Sequence, residues 1–470
     1  MRQIYLLFIA ITLFACTKSA HENLTQNDEL LSRSNKNTIA ALQDDDHFII
    51  DLSGNSVDIE ATRNLIQASG ATVTGYLPEL KMMFVKSSDV SQLVSSGLNI
   101  ALDLEGYSEP TAHPDNPPIS AGTDDSWFRF MWGLDAIDAP QAWNAGYRGA
   151  GVKVAVLDCG IYTTHTDLAA NLLVTEGKNF VNWGPDSCAK YPECDPNDIT
   201  FRNSPAFSHG THVAGTIAAV DNRSGIIGVA PDSKILPVKV LSDFKGTGYV
   251  SWIVQGIVYA VNKGARVINL SLGGLRIKGS GKGSNYVQEG LRMYDRAIQY
   301  AKENGVVVVT AAGNDALDLD HPIRYADGGS TGSLIFYPAS SPHAVTVSAT
   351  TTHNFLPGDP TQELDYVASY TNYGSSYIDL AAPGGDYIMG NRNDYIVSLA
   401  RPGFVAFSIG TSMAAPHVSG VAALIISKYG GNISAADVKE ILLSTADDLG
   451  KPGKDPFYGR GRVNAWKAVQ

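Results

Sequence analysis

Short apolar runs recur along the last two thirds of this chain, and they constrain its fold most. Val152 to Leu157 (VKVAVL), Lys234 to Val240, Val267 to Leu272, Val306 to Ala311 (VVVVTA) and Ala344 to Ala349 each have the length of a strand. Helical patterns separate them at Tyr249 to Lys263 and Tyr286 to Glu303, and another follows at Ala435 to Thr445 with Ser434 as its N-cap. A strand apolar on both faces must be covered on both. The alternation therefore predicts an α/β fold, a mostly parallel sheet with helices on both faces. Asp158 ends the first run, at the strand end where open α/β sheets carry their sites. An Asp there equally suits a turn cap.

The chain has 470 residues, 44% of them hydrophobic, enough for one large core and a smaller domain. Its formal charge is 35 − 47 = −12. With no Lys/Arg cluster, that balance argues against nucleic-acid partners and against docking on anionic membranes by charge. Residues 1–16 carry one basic residue, an apolar run from Ile4 to Ala15, and Cys16. The run is too short to span a bilayer and fits a secretory signal. Leu13-Phe14-Ala15-Cys16 resembles a bacterial lipobox, which makes Cys16 the candidate lipid attachment site, although Phe14 is bulkier than that pattern usually has. The alternative is a plain signal cut near Ala15 or Ala20. Either reading makes the protein exported.

Residues 17–46 are polar and read as a flexible tether. Residues 47–105 change character. Strands are expected at His47 to Leu52, Gly70 to Tyr76, Met82 to Lys86 and Asn99 to Leu104, with helices at Ile59 to Ser69 and Asp89 to Ser96. That β-α-β-β-α-β order suits a small split-βαβ domain. Residues 106–126, with four prolines, read as an exposed linker open to proteolytic nicking. The large domain is 127–470.

Phe407 to Val418 reads FSIGTSMAAPHV. A tight turn passes into an apolar helix with Ser412 at its start, where unpaired N–H groups and the helix dipole favour developing negative charge. Gly-Thr-Ser is also an ordinary turn or cap, so a nucleophile here needs a base and an orienting acid elsewhere. Ser208-His-Gly-Thr-His-Val-Ala-Gly215 supplies His209 as the base. His212 reads as a packed structural residue. A HxxH pair without a third ligand is a weak metal signal.

Four blocks together resemble the subtilisin-like serine proteases (subtilases, peptidase family S8). They are Val154 to Asp158, Ser208 to Gly215, Val308 to Asn314 and Gly410 to His417, in the order Asp, His, Ser. The resemblance covers roughly 127–470. It implies a subtilisin-like three-layer α/β fold, preceded by a small α+β ferredoxin-like propeptide domain. The implied catalytic residues are Asp158, His209 and Ser412, with Asn314 and the Ser412 N–H as oxyanion hole. Ser271, Leu272 and Gly273 would bind the substrate backbone as an edge strand. The pocket walls fall near Leu272, Ala311 and Gly332, and Pro338 is expected to be cis.

Cys159 departs from the family, which usually has Thr or Ser after the catalytic Asp. It reads as a small packing group; the alternative is a mercurial-sensitive thiol beside the triad. Cys188 and Cys194 lie in a long insertion, and export favours a disulfide between them. Asp186, Glu193, Asp195 and Asp198 crowd that loop, and Asp315, Asp318 and Asp320 crowd another. The resemblance makes structural calcium a candidate at both, against solvated acidic loops; neither has EF-hand spacing, and the metal ligands stay unassigned. No cofactor is required for catalysis. Leu275 to Asn285 reads as an exposed loop beside the cleft.

The implied function is an exported serine endopeptidase, made as a self-processing zymogen and working through an acyl-enzyme. Its partners are protein or peptide substrates and its own propeptide. It touches a membrane only through the N-terminal lipid, as an anchored lipoprotein, and is otherwise secreted or periplasmic. A monomer is expected. The competing classes are a non-catalytic peptide binder, which would not need Asp158, His209, Asn314 and Ser412 together, and an esterase, for which GTSMA lacks the Gly-x-Ser-x-Gly elbow.

Overall fold

A computed structural model describes residues 47–470 except 54–57, 91–92, 95, 97, 104, 108–111, 114–126, 184–187, 189–191, 204–206, 281–283, 323, 328–329, 358 and 360. The expected signal, Cys16, the tether and most of the linker lie outside the described residues, as does much of the helix expected at Asp89 to Ser96.

The N-terminal unit holds β1 (His47–Asp51), β2 (Thr72–Leu77), β3 (Met82–Lys86) and β4 (Asn99–Leu102), with the helix Ile59–Ala68 after β1. The sheet order is β2-β3-β1-β4, with every described pairing antiparallel. Asp58 caps the helix by accepting from the Glu60 and Ala61 N–H groups. The strands are apolar on both faces for a reason visible in the packing. Phe48, Ile50, Met83 and Val85 join Ile66 in a core of their own. The alternate residues Ile49, Met82, Phe84 and Ala101 join a core of the large domain. The small sheet is thus shaped to lie on a second surface.

Two short strands follow, β5 (Glu105–Tyr107) and β6 (Ala112–His113). The large domain contributes β7 (Lys153–Asp158), β8 (Lys178–Asn179), β9 (Lys234–Lys239), β10 (Thr247–Tyr249), β11 (Val267–Leu270), β12 (Gly274–Ser280) and β13 (Val307–Ala311). It continues with β14 (Arg324–Asp327), β15 (Ser330–Tyr337), β16 (Val345–Thr351), β17 (Tyr366–Val367), β18 (Leu380–Pro383), β19 (Ile396–Leu399) and β20 (Val405–Ser408). The main sheet runs β17-β16-β13-β11-β7-β9-β8, with β18 beside β16. All its pairings are parallel except β16 with β17.

Each central strand feeds two cores by its pleat. In β7, Val154 and Val156 face one side, while Ala155 and Leu157 face the other. The helices His209–Ala218 and Thr411–Lys428 pack on the first side, and Val250–Asn262 and Ser284–Glu303 on the second. Leu275 to Asn285 is not the loop expected from its Gly, Ser and Lys content. Gly274–Ser280 is strand β12, paired with β15 and through it β14, and a helix begins at Ser284. Long-range pairing overrides weak local propensity there.

The two units share a polar as well as an apolar contact. Arg296 pairs with Asp51 at 3.0 Å and donates to the Leu80 carbonyl at 2.6 Å. Asn262 donates to Glu79. The buried Asp103 accepts from the Ser251 N–H at 2.6 Å, in the first turn of the Val250–Asn262 helix, whose own N-cap Tyr249 supplies no side-chain bond.

Candidate active site

Asp158 ends β7 and His209 begins its helix, and the two meet because that helix crosses the strand end closely. A methyl on Gly210 would come within 2.5 Å of the Gly160 carbonyl, so glycine permits the approach. Ser208 caps the helix by accepting from the Thr211 N–H and donates to the Gly160 carbonyl. The His209 Nδ1 lies 3.0 and 2.9 Å from the two Asp158 carboxylate oxygens, and both residues are buried. The Cys159 N–H donates to Asp158 Oδ1 at 2.7 Å, fixing the carboxylate from behind. This fixes the tautomer: Nδ1 carries the proton, and Nε2 is left as the basic nitrogen with no hydrogen-bond partner.

Ser412 is the second residue of Thr411–Lys428, in the first turn, where N–H groups have no intrahelical acceptor. Gly410 precedes it with φ at 140°, a conformation a side chain rarely adopts. Pro416 sits inside this helix and has no N–H to offer the Ser412 carbonyl. Ser271 fills that gap, its Oγ donating to the Ser412 carbonyl at 2.7 Å. In return the Ser412 Oγ donates to the Ser271 carbonyl at 3.1 Å. No hydrogen bond joins Ser412 to His209 here.

Asn314 follows β13 by a short turn. Its Oδ1 accepts from the Thr411 N–H at 2.9 Å and the Thr411 hydroxyl at 2.8 Å. Two donors on that oxygen decide which end of the amide is which, and leave the NH₂ end for other partners. Two contacts thus stand at strand ends of the main sheet, Asp158 with His209 at the end of β7 and Asn314 with the Ser412 segment just past β13.

The family model for subtilases matches residues 149–461. The chain belongs to the subtilase family. It is 36% identical over 339 residues to subtilisin from Bacillus pumilus, covering 72% of this chain and 98% of that one. Against thermitase from Thermoactinomyces vulgaris it is 36% identical over 341 residues, covering 72% and 96%. Among solved structures, the epidermin leader peptide processing serine protease of Staphylococcus aureus superposes with a TM-score of 0.70 at 25% identity, over 90% of this chain and 97% of that one. This subtilase is a serine endopeptidase, of a kind that needs no cofactor for catalysis.

Other sequence expectations fall into place around this site. His212 bridges two strands, its Nε2 3.2 Å from the Ile396 and Ala406 carbonyls. Burial and the neighbouring His209 lower its pKa to about 3, so it stays neutral. Burial and the Asp158 charge push the Cys159 thiol well above its usual range, which suits packing rather than reactivity. The Tyr337–Pro338 peptide is cis. Cys188 and Cys194 form a disulfide.

The acidic loops are occupied by the protein itself. Glu193 is buried and accepts from Trp183 Nε1, the Ser242 hydroxyl and the Asp243 N–H. Asp198 binds Arg202 at 2.6 Å, Asp318 accepts from the Asp320 and His321 N–H groups, and Asp320 accepts from the Ser376 N–H. Asp186 lies outside the described residues. Among the described residues no group of three His, Cys, Asp or Glu side chains is arranged for a metal.

Sequence reasoning missed the partner of β5. Tyr107, Gly106 and Glu105 pair antiparallel with Thr247, Gly248 and Tyr249 of β10. Further on, Ala112 and His113 pair with Ser408 and Phe407 of β20, just ahead of the Ser412 helix. Gly246-Thr-Gly248 was the available signal: a Gly-flanked edge that any backbone can approach. A methyl on Gly248 would collide with the Val240 carbonyl.

Proposed function

We propose that this subtilase is exported and cleaves proteins with Asp158, His209 and Ser412 as its triad, and that residues 47–105 inhibit it until it cuts its own linker. The buried His209–Asp158 pair, with Nε2 unpartnered and its helix sharing a core with the Ser412 helix, carries the catalytic reading.

Ser412 Oγ would attack the scissile carbonyl carbon and pass its proton to His209 Nε2. Asp158 would hold the imidazolium so formed. The oxyanion would be met by the Asn314 amide NH₂ and the Ser412 N–H; one such donor contributes about 10²–10³ in rate. The C–N bond then breaks as His209 returns the proton to the leaving amine. A water, deprotonated by the same imidazole, hydrolyses the acyl-enzyme and frees the acid. The Ser412 hydroxyl rests on the Ser271 carbonyl and would change partner on substrate binding, as catalytic hydrogen bonds often tighten only in the complex.

The pairing of β5 with β10 and of β6 with β20, the strand just ahead of the Ser412 helix, supports inhibition in place, since both ends of this stretch dock on the large domain. The first cut is expected in the linker between Glu105 and Trp127. Export through the N-terminal signal, lipidation at Cys16 and a monomeric state complete the reading. A fluorophosphonate probe tests the catalytic part. Wild type that has lost its N-terminal unit should label on Ser412 and digest casein. His209→Ala and Asp158→Ala should do neither at a comparable rate. Casein digestion that persists in Ser412→Ala would refute it.

A further inference from the structure

The segments flanking the nucleophile leave a slot between them, and one side chain occupies it. Ser271 to Gly274 runs past Ser412 on one side, with the Ser271 carbonyl 3.1 Å from the Ser412 hydroxyl. Ala311 to Asn314 runs on the other, with the Gly313 N–H donating to the Thr411 hydroxyl at 3.1 Å. They extend from the neighbouring parallel strands β11 and β13. A peptide with its carbonyl carbon at Ser412 and its oxygen toward Asn314 would lie between these segments, with the gap open to the side chain before the cut.

The gap is filled by Phe336. Its ring is 5% exposed. A methyl built on Gly273 would overlap Phe336 Cε1 and lie 2.6 Å from Cζ. A methyl on Gly313 would lie 2.8 Å from Cε2 and 2.9 Å from Cδ2. Opposite edges of one ring thus rest on the backbones of both flanking segments, each of which has a glycine at the contact. The ring is held from behind. Leu319 and Ala339 pack with it, and its own carbonyl accepts from the Ser340 N–H and hydroxyl. Close-packed surroundings give it little room to withdraw. Gly332, the wall expected from sequence, lies back in β15 opposite Gly279.

From this geometry we infer that Phe336 is a specificity-determining residue that closes the pocket for the residue before the cut, restricting this enzyme to peptides with Gly, Ala or Ser there. The inference rests on Ser412 and Asn314 acting as set out above. It adds the substrate class: proteins rich in small residues, cut after them, with large apolar side chains refused.

The test uses the full chain after loss of its N-terminal unit and four peptide p-nitroanilides that differ only in the residue before the cut, Gly, Ala, Leu or Phe. Active sites are counted with a fluorophosphonate, which keeps the two readings apart: no labelling of Ser412 would defeat the catalytic assignment, whereas labelling with the wrong preference would defeat this one. The wild type should favour Ala over Phe by about 10- to 100-fold in kcat/KM, the range a badly fitting apolar group produces. Phe336→Gly should gain activity on Phe and Leu and invert the ratio, and Phe336→Leu should fall between. A merely structural role would lower all four substrates together. Wild type that cuts after Phe or Leu as fast as after Ala overturns the inference, as does a labelled Phe336→Gly with unchanged preference. If Phe336→Gly does not fold, Phe336→Ala and the wild-type profile still decide it.

Discussion

Ser271 holds the nucleophile's backbone through a bond that exists only because Pro416 cannot make it. Removing the Ser271 hydroxyl leaves the buried Ser412 carbonyl without its 2.7 Å donor. A buried acceptor left unsatisfied costs about 1–3 kcal/mol. Ser271→Ala also deprives the Asn269 amide of its acceptor at 2.9 Å. A double-mutant cycle separates the two losses. Pro416→Ala restores an N–H four residues after Ser412, and that N–H supplies an intrahelical donor to the same carbonyl. In that background Ser271→Ala should still cost the Asn269 bond but no longer orphan the carbonyl. The cycle predicts a coupling of about 1–2 kcal/mol, with Ser271→Ala milder in the Pro416→Ala background. The assay is urea unfolding of chains carrying Ser412→Ala, which abolishes self-cutting and keeps the backbone carbonyl. Equal costs of Ser271→Ala in the two backgrounds, within a few tenths of a kcal/mol, would refute the reasoning.

Three other outcomes are expected. Asp103→Ala removes the acceptor of the Ser251 N–H at the start of Val250–Asn262, worth about 1 kcal/mol, so activity should appear several-fold sooner after linker cleavage; an unchanged lag would count against that contact. Glu193→Ala orphans donors on Trp183, Ser242 and Asp243 and should lower stability in urea unfolding by about 1–3 kcal/mol; an unchanged midpoint would count against those bonds. Burial disfavours the charged form of Asp447, but hydrogen bonds from Lys467, Asn464 and Arg462 outweigh it and its pKa is lowered. Its stabilisation is therefore full above the ordinary carboxylate pKa and lost as pH falls through the depressed folded value. The destabilisation by Asp447→Asn, read by urea unfolding, should be present at pH 7 and fade in acid below that point.

The parallel sheet was legible because strands buried on both faces leave continuous apolar runs, as in Val307–Ala311. The segments around Asp158, His209 and Ser412 stood out in sequence because each sits at an element terminus with small neighbours, such as Gly210 against Asp158. The β12–β15–β14 sheet was not, since Gly, Ser and Lys carry no strand signal and its pairing joins residues some fifty apart, as Gly279 with Gly332. The partners of the acidic loops were silent for a related reason. Composition lists carboxylates but not the N–H groups that meet them, and Glu193 turned inward to Trp183 and Ser242. Phe336 was equally silent, because its seat is made by two glycines distant in sequence, Gly273 and Gly313.

The central claim is an endopeptidase that releases itself with Ser412. Intact mass of the purified full chain, wild type beside Ser412→Ala, tests it most directly. The account predicts a wild type cut between Glu105 and Trp127 and a mutant that stays whole. A Ser412→Ala chain that matures at the wild-type position in a purified system, or a wild type that stays whole and inert even after a second protease has cut the linker, would contradict it.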